Sequence, residues 1–209
     1  MTEVTIAIFH GLFLAIGLLL PLGAQNIFIF NQGAIQPSFT RTLPCIITAS
    51  VCDSILIIAG VLGISILVLK LVWLKLIIFI TGFLFLMYMG YITWYQPVHG
   101  VTNNHRIFSA KKQILFAASA SLLNPHAIID TIAVIGTSSV EYIGNAKIAY
   151  TITCVLVSWI WFCGLASAGH SLHKIDKNGL WIKRINKIAA IIIWIVAAYL
   201  AIQVVETIL

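Results

Sequence analysis

"LPLGAQNIF", residues 20–28, lies inside a run from Val4 to Thr40 that contains no Asp, Glu, Lys or Arg. So apolar a segment reads as membrane-embedded, yet its middle holds Pro21, Gly23, Gln25 and Asn26. Proline has no N–H, so a helix running through Pro21 loses its bond to the Gly17 carbonyl. In hydrocarbon an unsatisfied backbone group costs several kcal/mol, and a break survives only where protein, water or a ligand supplies the missing partner. The stretch therefore predicts a helix broken beside a polar cavity, with Pro21 and Gly23 at the break and two carboxamides just beyond it. A packed kink is the plainer reading of one such proline taken alone.

A second stretch removes that isolation. "LLNPHAIID", residues 122–130, places Pro125 104 positions after Pro21. Asn26 follows the first proline by five residues and Asp130 follows the second by five; Gly33 and Gly136 come twelve and eleven residues after their prolines. Half-helices that start beyond such breaks present free N–H groups suited to a carboxylate, and the freed carbonyls suit an ammonium. Together these are the two ends of an amino acid.

Composition sets the frame. Of 209 residues 61% are hydrophobic and 9% charged, against about 25% charged in a soluble domain. Six apolar stretches, near 4–30, 43–69, 71–95, 114–137, 146–169 and 188–208, each meet the roughly 20 residues that a spanning helix needs. The first is too long for a signal-peptide core and lacks a basic flank. The sequence thus predicts an all-α membrane protein of six transmembrane helices. These form two inverted three-helix repeats whose first and fourth helices are broken, because an odd number of spans makes the second half enter the membrane from the opposite side. The expected division is a first repeat over 1–95, a cytoplasmic linker over 96–113 and a second repeat over 114–209.

The net charge of +6 does not call for nucleic acid. Nine of the twelve Lys and Arg residues fall in the connections after the first, third and fifth stretches, leaving Lys70, Lys75 and Lys147 on the other side. The positive-inside rule makes the nine-charge side cytoplasmic and puts both termini outside. Cys45, Cys52, Cys154 and Cys163 form no C-x-x-C pair and read as small apolar residues. His170 and His173 have helical ligand spacing but no third partner, so they read as a solvated loop rather than a metal site. His10 and His126 read as hydrogen-bonded packing residues, and Gly60 with Gly63 and Gly164 with Gly169 as close helix contacts. No cofactor is called for. Neither a redox cysteine pair nor a nucleophile with its base is present, so the chain does not read as an enzyme.

Asp53 and Asp130 fall within predicted spans with no Lys or Arg at similar depth. Intramembrane acids of this kind mark substrate, ion or proton paths, and a bound cation and a proton compete for the same carboxylate.

These residues, "GAQNIFIFNQG" in the first stretch, Asp53 in the second, "LLNPHAIID" in the fourth and "SWIWF" in the fifth, resemble the LysE/ArgO family of bacterial amino-acid exporters over nearly the whole chain. Family members carry a Gly-Pro-Gln-Asn run where this chain has Gly23, Ala24, Gln25 and Asn26, its own proline standing three positions earlier. The resemblance implies export of lysine or arginine from the cytoplasm across the bacterial cell membrane. It carries a substrate-binding role to Gln25, Asn26, Asp53, Asn124 and Asp130, with Pro125 at the second break. Asp53 and Asp130 are the expected proton-coupling pair. Partners expected are the lipid bilayer, protons and a small amino acid; small-residue faces leave room for a homo-oligomer. Exporters of neutral amino acids or of metal cations in related branches are the alternative reading.

Overall fold

The computed structural model describes residues 2–20, 23–63, 72–95, 108–123, 128, 131–175 and 180–208, and regular structure among them is helical throughout. Seven α-helices follow one another: α1 (Glu3–Leu19), α2 (Ala24–Ile35), α3 (Leu43–Val61), α4 (Val72–Trp94), α5 (Ala110–Leu122), α6 (Gly144–Ile175) and α7 (Leu180–Ile208). Short turns occupy Phe39–Thr42 and Ser139–Glu141, and Thr131–Gly136 is wound as a π-helix.

The first predicted span is interrupted as the proline requires, but by more than a kink. α1 ends at Leu19: Leu20 keeps helical geometry and its N–H still meets the Ile16 carbonyl, but the proline that follows has no N–H to carry the ladder on. α2 leaves at 79° to it. With 17 residues, or about 25 Å, α1 alone falls short of a hydrocarbon core of about 30 Å. The expected stretch 4–30 also ends too early, since α2 runs on to Ile35. Polar residues carry it there because they find partners at its end. Gln36 Nε2 donates to the Phe108 carbonyl at 3.1 Å and to Gln32 Oε1 at 3.2 Å. Gln113 Nε2 donates to the Arg41 and Phe108 carbonyls at 2.9 and 3.1 Å. These buried carboxamides fasten the end of α2 to the start of α5.

α6 is the opposite case. It has 32 residues and no proline, and several of its hydroxyls return to its own backbone: Thr151, Thr153, Ser167 and Ser171 each donate to the carbonyl four residues back at 2.7–2.9 Å. A long helix can therefore carry these groups through lipid without leaving them unmet. It also extends past the expected 146–169, so His170 and His173 stand on helix rather than in a solvated loop, and the His170 ring meets Phe39 edge-on at 6.5 Å.

α6 is the hub against which α1, α2 and α3 pack, α3 in turn carries α5 and the π-helix, and α4 pairs along its length with α7. At that last pair Gly90 leaves room for the Trp194 indole, which stacks on Trp94 at 5.6 Å beneath the Lys187 ammonium. Gly63 was expected to make a helix contact; instead it closes α3 at φ 71°, with no described atom within 4 Å of where a Cβ would stand. Gly164 is likewise open. Phe13, Leu84, Ile152 and Ile160 point outward, the surface that a lipid solvent favours. Among the described residues two helices, Phe39–Val61 and Gly144–Leu172, are long and apolar enough to cross a membrane, and the bent α1–α2 pair counts as a third. The chain is a membrane protein.

Candidate substrate site at the helix break

The break is stitched by one of its own carboxamides. Leu20 N–H still reaches the Ile16 carbonyl at 2.9 Å, and Asn26 Nδ2 donates to the Leu19 carbonyl at 2.8 Å. The acceptor that Asn26 meets is thus Leu19, in the last turn of α1, and not Gly17 as the proline alone suggested. Asn26 is buried, with 6% of its surface exposed, so deleting its amide takes away the partner of the Leu19 carbonyl. Asn26→Leu is expected to cost about 1–3 kcal/mol, read as a lowered melting temperature of the purified protein in detergent. Asn26→Asp should fall comparably, because an ionised carboxylate has no proton to donate.

Its neighbour is left free. Gln25 Nε2 is buried with no hydrogen-bond partner, at the start of α2 where the first backbone N–H groups also lack helical acceptors. Gly23 caps α2 in extended geometry, φ −72° and ψ 172°. No described atom approaches the place of its Cβ or that of Gly17 within 4 Å; neither glycine serves a close backbone contact with the described residues.

Asp53 sits midway along α3, partly buried. The Ser158 side chain of α6 hydrogen-bonds it, and Cys154, one turn earlier on α6, lies within its electrostatic reach. Next to it Ser54 Oγ accepts from Trp159 Nε1 at 3.1 Å. Helices α1, α2 and α3 contain no Lys or Arg, and α6 has them only at Lys147 and Lys174. The carboxyl therefore faces hydroxyl, thiol and apolar groups, with no protein cation at its depth on these helices.

Other buried polar atoms without partners include Asn31 Oδ1 on α2 and Ser50 Oγ on α3, which sequence reasoning passed over, and Trp161 Nε1 on α6. Asn31 and Ser50 carried a legible signal. Asn31 is another carboxamide in the charge-free run, and Ser50 lies one turn before Asp53 on the same face. Pro21, Asn124, Pro125, His126 and Asp130 lie outside the described residues. Among the described residues around the second proline, α5 ends at Leu122, with Leu123 N–H on the Ser119 carbonyl at 2.9 Å, and Thr131–Gly136 is wound as a π-helix.

A cavity of about 300 Å³ lies between the end of α3 and the start of α6, lined by Ile58, Val61, Leu62 and Ile148 with Lys147 and Thr151. Of the expected site residues that are described, Gly23, Gln25, Asn26 and Asp53, none lines it. Its lining is largely apolar and it sits away from Asp53, so it is not the polar midplane pocket that the two prolines predicted.

The whole-chain comparisons bear on this geometry. The model of the family described as LysE type translocator matches residues 16–204, which includes the break, Asp53 and the α6 residues around it. This chain belongs to the LysE type translocator family. Among its relatives is the YisU protein of Bacillus subtilis (strain 168), whose name marks it as a candidate amino-acid transporter; it is 48% identical over 197 residues, 94% of this chain and 90% of that protein. The arginine exporter protein ArgO of Klebsiella pneumoniae (strain 342) is 30% identical over 200 residues and that of Shigella flexneri 29% over 201, each covering 92% of both chains. No solved structure matches.

As a LysE type translocator the chain moves a solute and is not an enzyme. Membership also explains where its proline departs from the family run. The position that resembles the family's proline is Ala24, the first residue of α2. A proline there costs no helical hydrogen bond and its fixed φ suits the first turn, so either residue is compatible with a helix that starts there.

Proposed function

We propose that this chain exports amino acids, basic ones first, from the cytoplasm of a bacterium in exchange for protons. It works by alternating access between two inverted three-helix halves, 1–95 and 114–209, joined by a cytoplasmic linker over 96–113, with both termini outside. The observation that carries the substrate class is the relationship to arginine exporter proteins over 92% of both chains, taken with a carboxyl, Asp53, midway along a helix that itself holds no Lys or Arg.

The packing supports the repeat. If α1–α2, α3 and α4 correspond to α5 with the π-helix, α6 and α7, each strong contact has its counterpart. α1 on α6 answers α5 on α3, and α2 on α6 answers the π-helix on α3. α3 on α6 and α4 on α7 answer themselves. The two glycines twelve and eleven residues past the prolines obey the same rule. A Cβ at Gly33 of α2 would strike the Ala166 carbonyl of α6, and one at Gly136 of the π-helix would come within 2.8 Å of the Gly60 carbonyl of α3.

Exporting a monocation against an inside-negative potential costs about 2.3 kcal/mol per 100 mV, so export needs a counterflow. Asp53, with Asp130 as its counterpart in the second half, holds either the substrate's cationic group or a proton. Ser158 suits both states. Its hydroxyl now donates to the Val155 carbonyl at 3.0 Å, which leaves its oxygen to accept from a protonated carboxyl; rotated, it donates to a carboxylate. Gln25 Nε2 and the first N–H groups of α2 are donors for the substrate carboxylate, and Asn31 Oδ1 is an acceptor for the ammonium. Asn124 and the break at Pro125 complete the site in this reading.

The test is efflux from cells loaded with dipeptides that release lysine, arginine or homoserine. Arginine or lysine efflux that rises with expression supports the reading. Efflux of homoserine alone would move the substrate to the neutral class, and loss of metal tolerance on deletion, with amino-acid efflux unchanged, would replace it by a metal exporter.

A further inference from the structure

Resting on that reading, we propose that His10, held by Tyr142, is the external proton port of the exporter and serves Asp53 along a polar stripe on α6. His10 Nδ1 and the Tyr142 hydroxyl lie 2.7 Å apart although 132 residues separate them. The bond ties the middle of α1 to the connection just before α6. It does not discriminate between protonation states, since a phenol donates to a neutral imidazole and accepts from a charged one. A phenol, unlike a carboxylate, brings no negative charge to the imidazole. Histidine is also the side chain that exchanges protons near neutral pH. Tyr142 itself stays a hydroxyl over that range, because burial first and the Glu141 carboxylate second push its phenol up.

From His10 a row of proton-bearing side chains leads inward, each now donating to a backbone carbonyl and free to turn: Tyr150 to Ile135, Cys154 to Gly11 and Ser158 to Val155. The imidazole meets the Tyr150 ring edge to face at 5.7 Å, and the Tyr150 hydroxyl donates to the Ile135 carbonyl at 3.3 Å. Tyr150, Cys154 and Ser158 then follow at four-residue steps on one face of α6, and each is wholly buried. Every member bears an exchangeable proton, in a helix whose other buried positions are almost all apolar. Tyr150 is in hydrogen-bonding reach of Ser138 and Cys154; Cys154 Sγ lies 3.7 Å from the Gly11 carbonyl; Ser158 meets Asp53. The described titratable groups facing the stripe are thus His10 from α1, Tyr142 from the connection and Asp53 from α3, with Glu141 behind Tyr142. In one cycle a proton from outside enters His10, one leaves His10 for the stripe, and Asp53 takes one up as the substrate departs.

The native chain, His10→Gln and Tyr150→Phe are reconstituted in vesicles carrying an internal pH dye. Two fluxes are read: arginine-for-arginine counterflow at equal pH, and arginine movement driven by a pH gradient. The expected result is counterflow within twofold of native in both variants, with the gradient-driven flux and its dye signal reduced at least tenfold. Cys154→Ser, which keeps an exchangeable proton, should stay near native. A native gradient response in either variant overturns the port, and so does an equal loss of both fluxes in both variants, which a merely structural cluster would give. If the native chain performs counterflow without any response to pH, the port falls while amino-acid transport stands. If it moves no amino acid under either condition, the proposed function fails and the port falls with it.

Discussion

Replacing Asp53 by Asn is expected to lower arginine efflux at least thirtyfold while leaving the folded protein intact. Asn keeps the shape and one acceptor oxygen, so the Ser158 contact persists; what disappears is the charge and the ability to exchange it for a proton. Loss of one member of a desolvated, hydrogen-bonded charge pair costs about 2–5 kcal/mol, and at 1.4 kcal/mol per decade its lower end is about thirtyfold. The substrate cation, as the partner, would bear that loss. Asp53→Glu retains the charge one methylene further out and should recover part of the activity. Ser158→Ala should lose less than Asp53→Asn, because it removes a neutral contact worth about 1 kcal/mol. Efflux of labelled arginine from vesicles, normalised to folded protein, reads all three. Native efflux in Asp53→Asn would remove the carboxyl from the mechanism.

The same residue shows how far the sequence carries. A carboxyl inside an apolar run marks itself as a candidate by its cost alone; what the sequence could not give is its neighbours in the fold, a hydroxyl from α6 and a thiol one turn away. The first break was legible for a similar reason, because a missing N–H in a hydrocarbon setting is a local fact about Pro21. Its consequence was less so. That the Leu19 carbonyl would be met by Asn26 depends on the direction α2 takes after turning 79°, and no spacing rule encodes that angle. Spans read from hydropathy shared this blindness. Apolar count cannot tell that α2 continues to Ile35 on buried glutamines, whose acceptors are carbonyls 72 positions away. Of the cluster around Tyr142 the sequence offered only His10, read as a hydrogen-bonded packing residue; its partner is remote in sequence.

Glycine spacing was the faintest signal, and it carries the second large prediction. Gly33→Leu should abolish export by more than tenfold and lower the yield of folded protein, and Gly136→Leu should do the same. At both positions the obstacle to a side chain is backbone of another helix, the Ala166 carbonyl for Gly33 and the Gly60 carbonyl for Gly136. A flexible side chain would rotate aside; a carbonyl moves only with its helix. Even Gly33→Ala is expected to cost about 1–3 kcal/mol through overpacking, or about 2–12 °C in melting temperature at 2–4 °C per kcal/mol for a chain of this size. Gly136→Ala should cost less, its neighbour being less tightly apposed. Gly17→Ala and Gly23→Ala are the controls, since no described atom stands within 4 Å of either Cβ position, and both should melt within about 2 °C of native. The comparison tests architecture and not only packing. Two glycines that break the fold in the same way, from corresponding places in opposite halves, are what a two-fold axis in the membrane plane demands. A fully tolerant Gly136 beside an intolerant Gly33 would mean that the second half does not repeat the first.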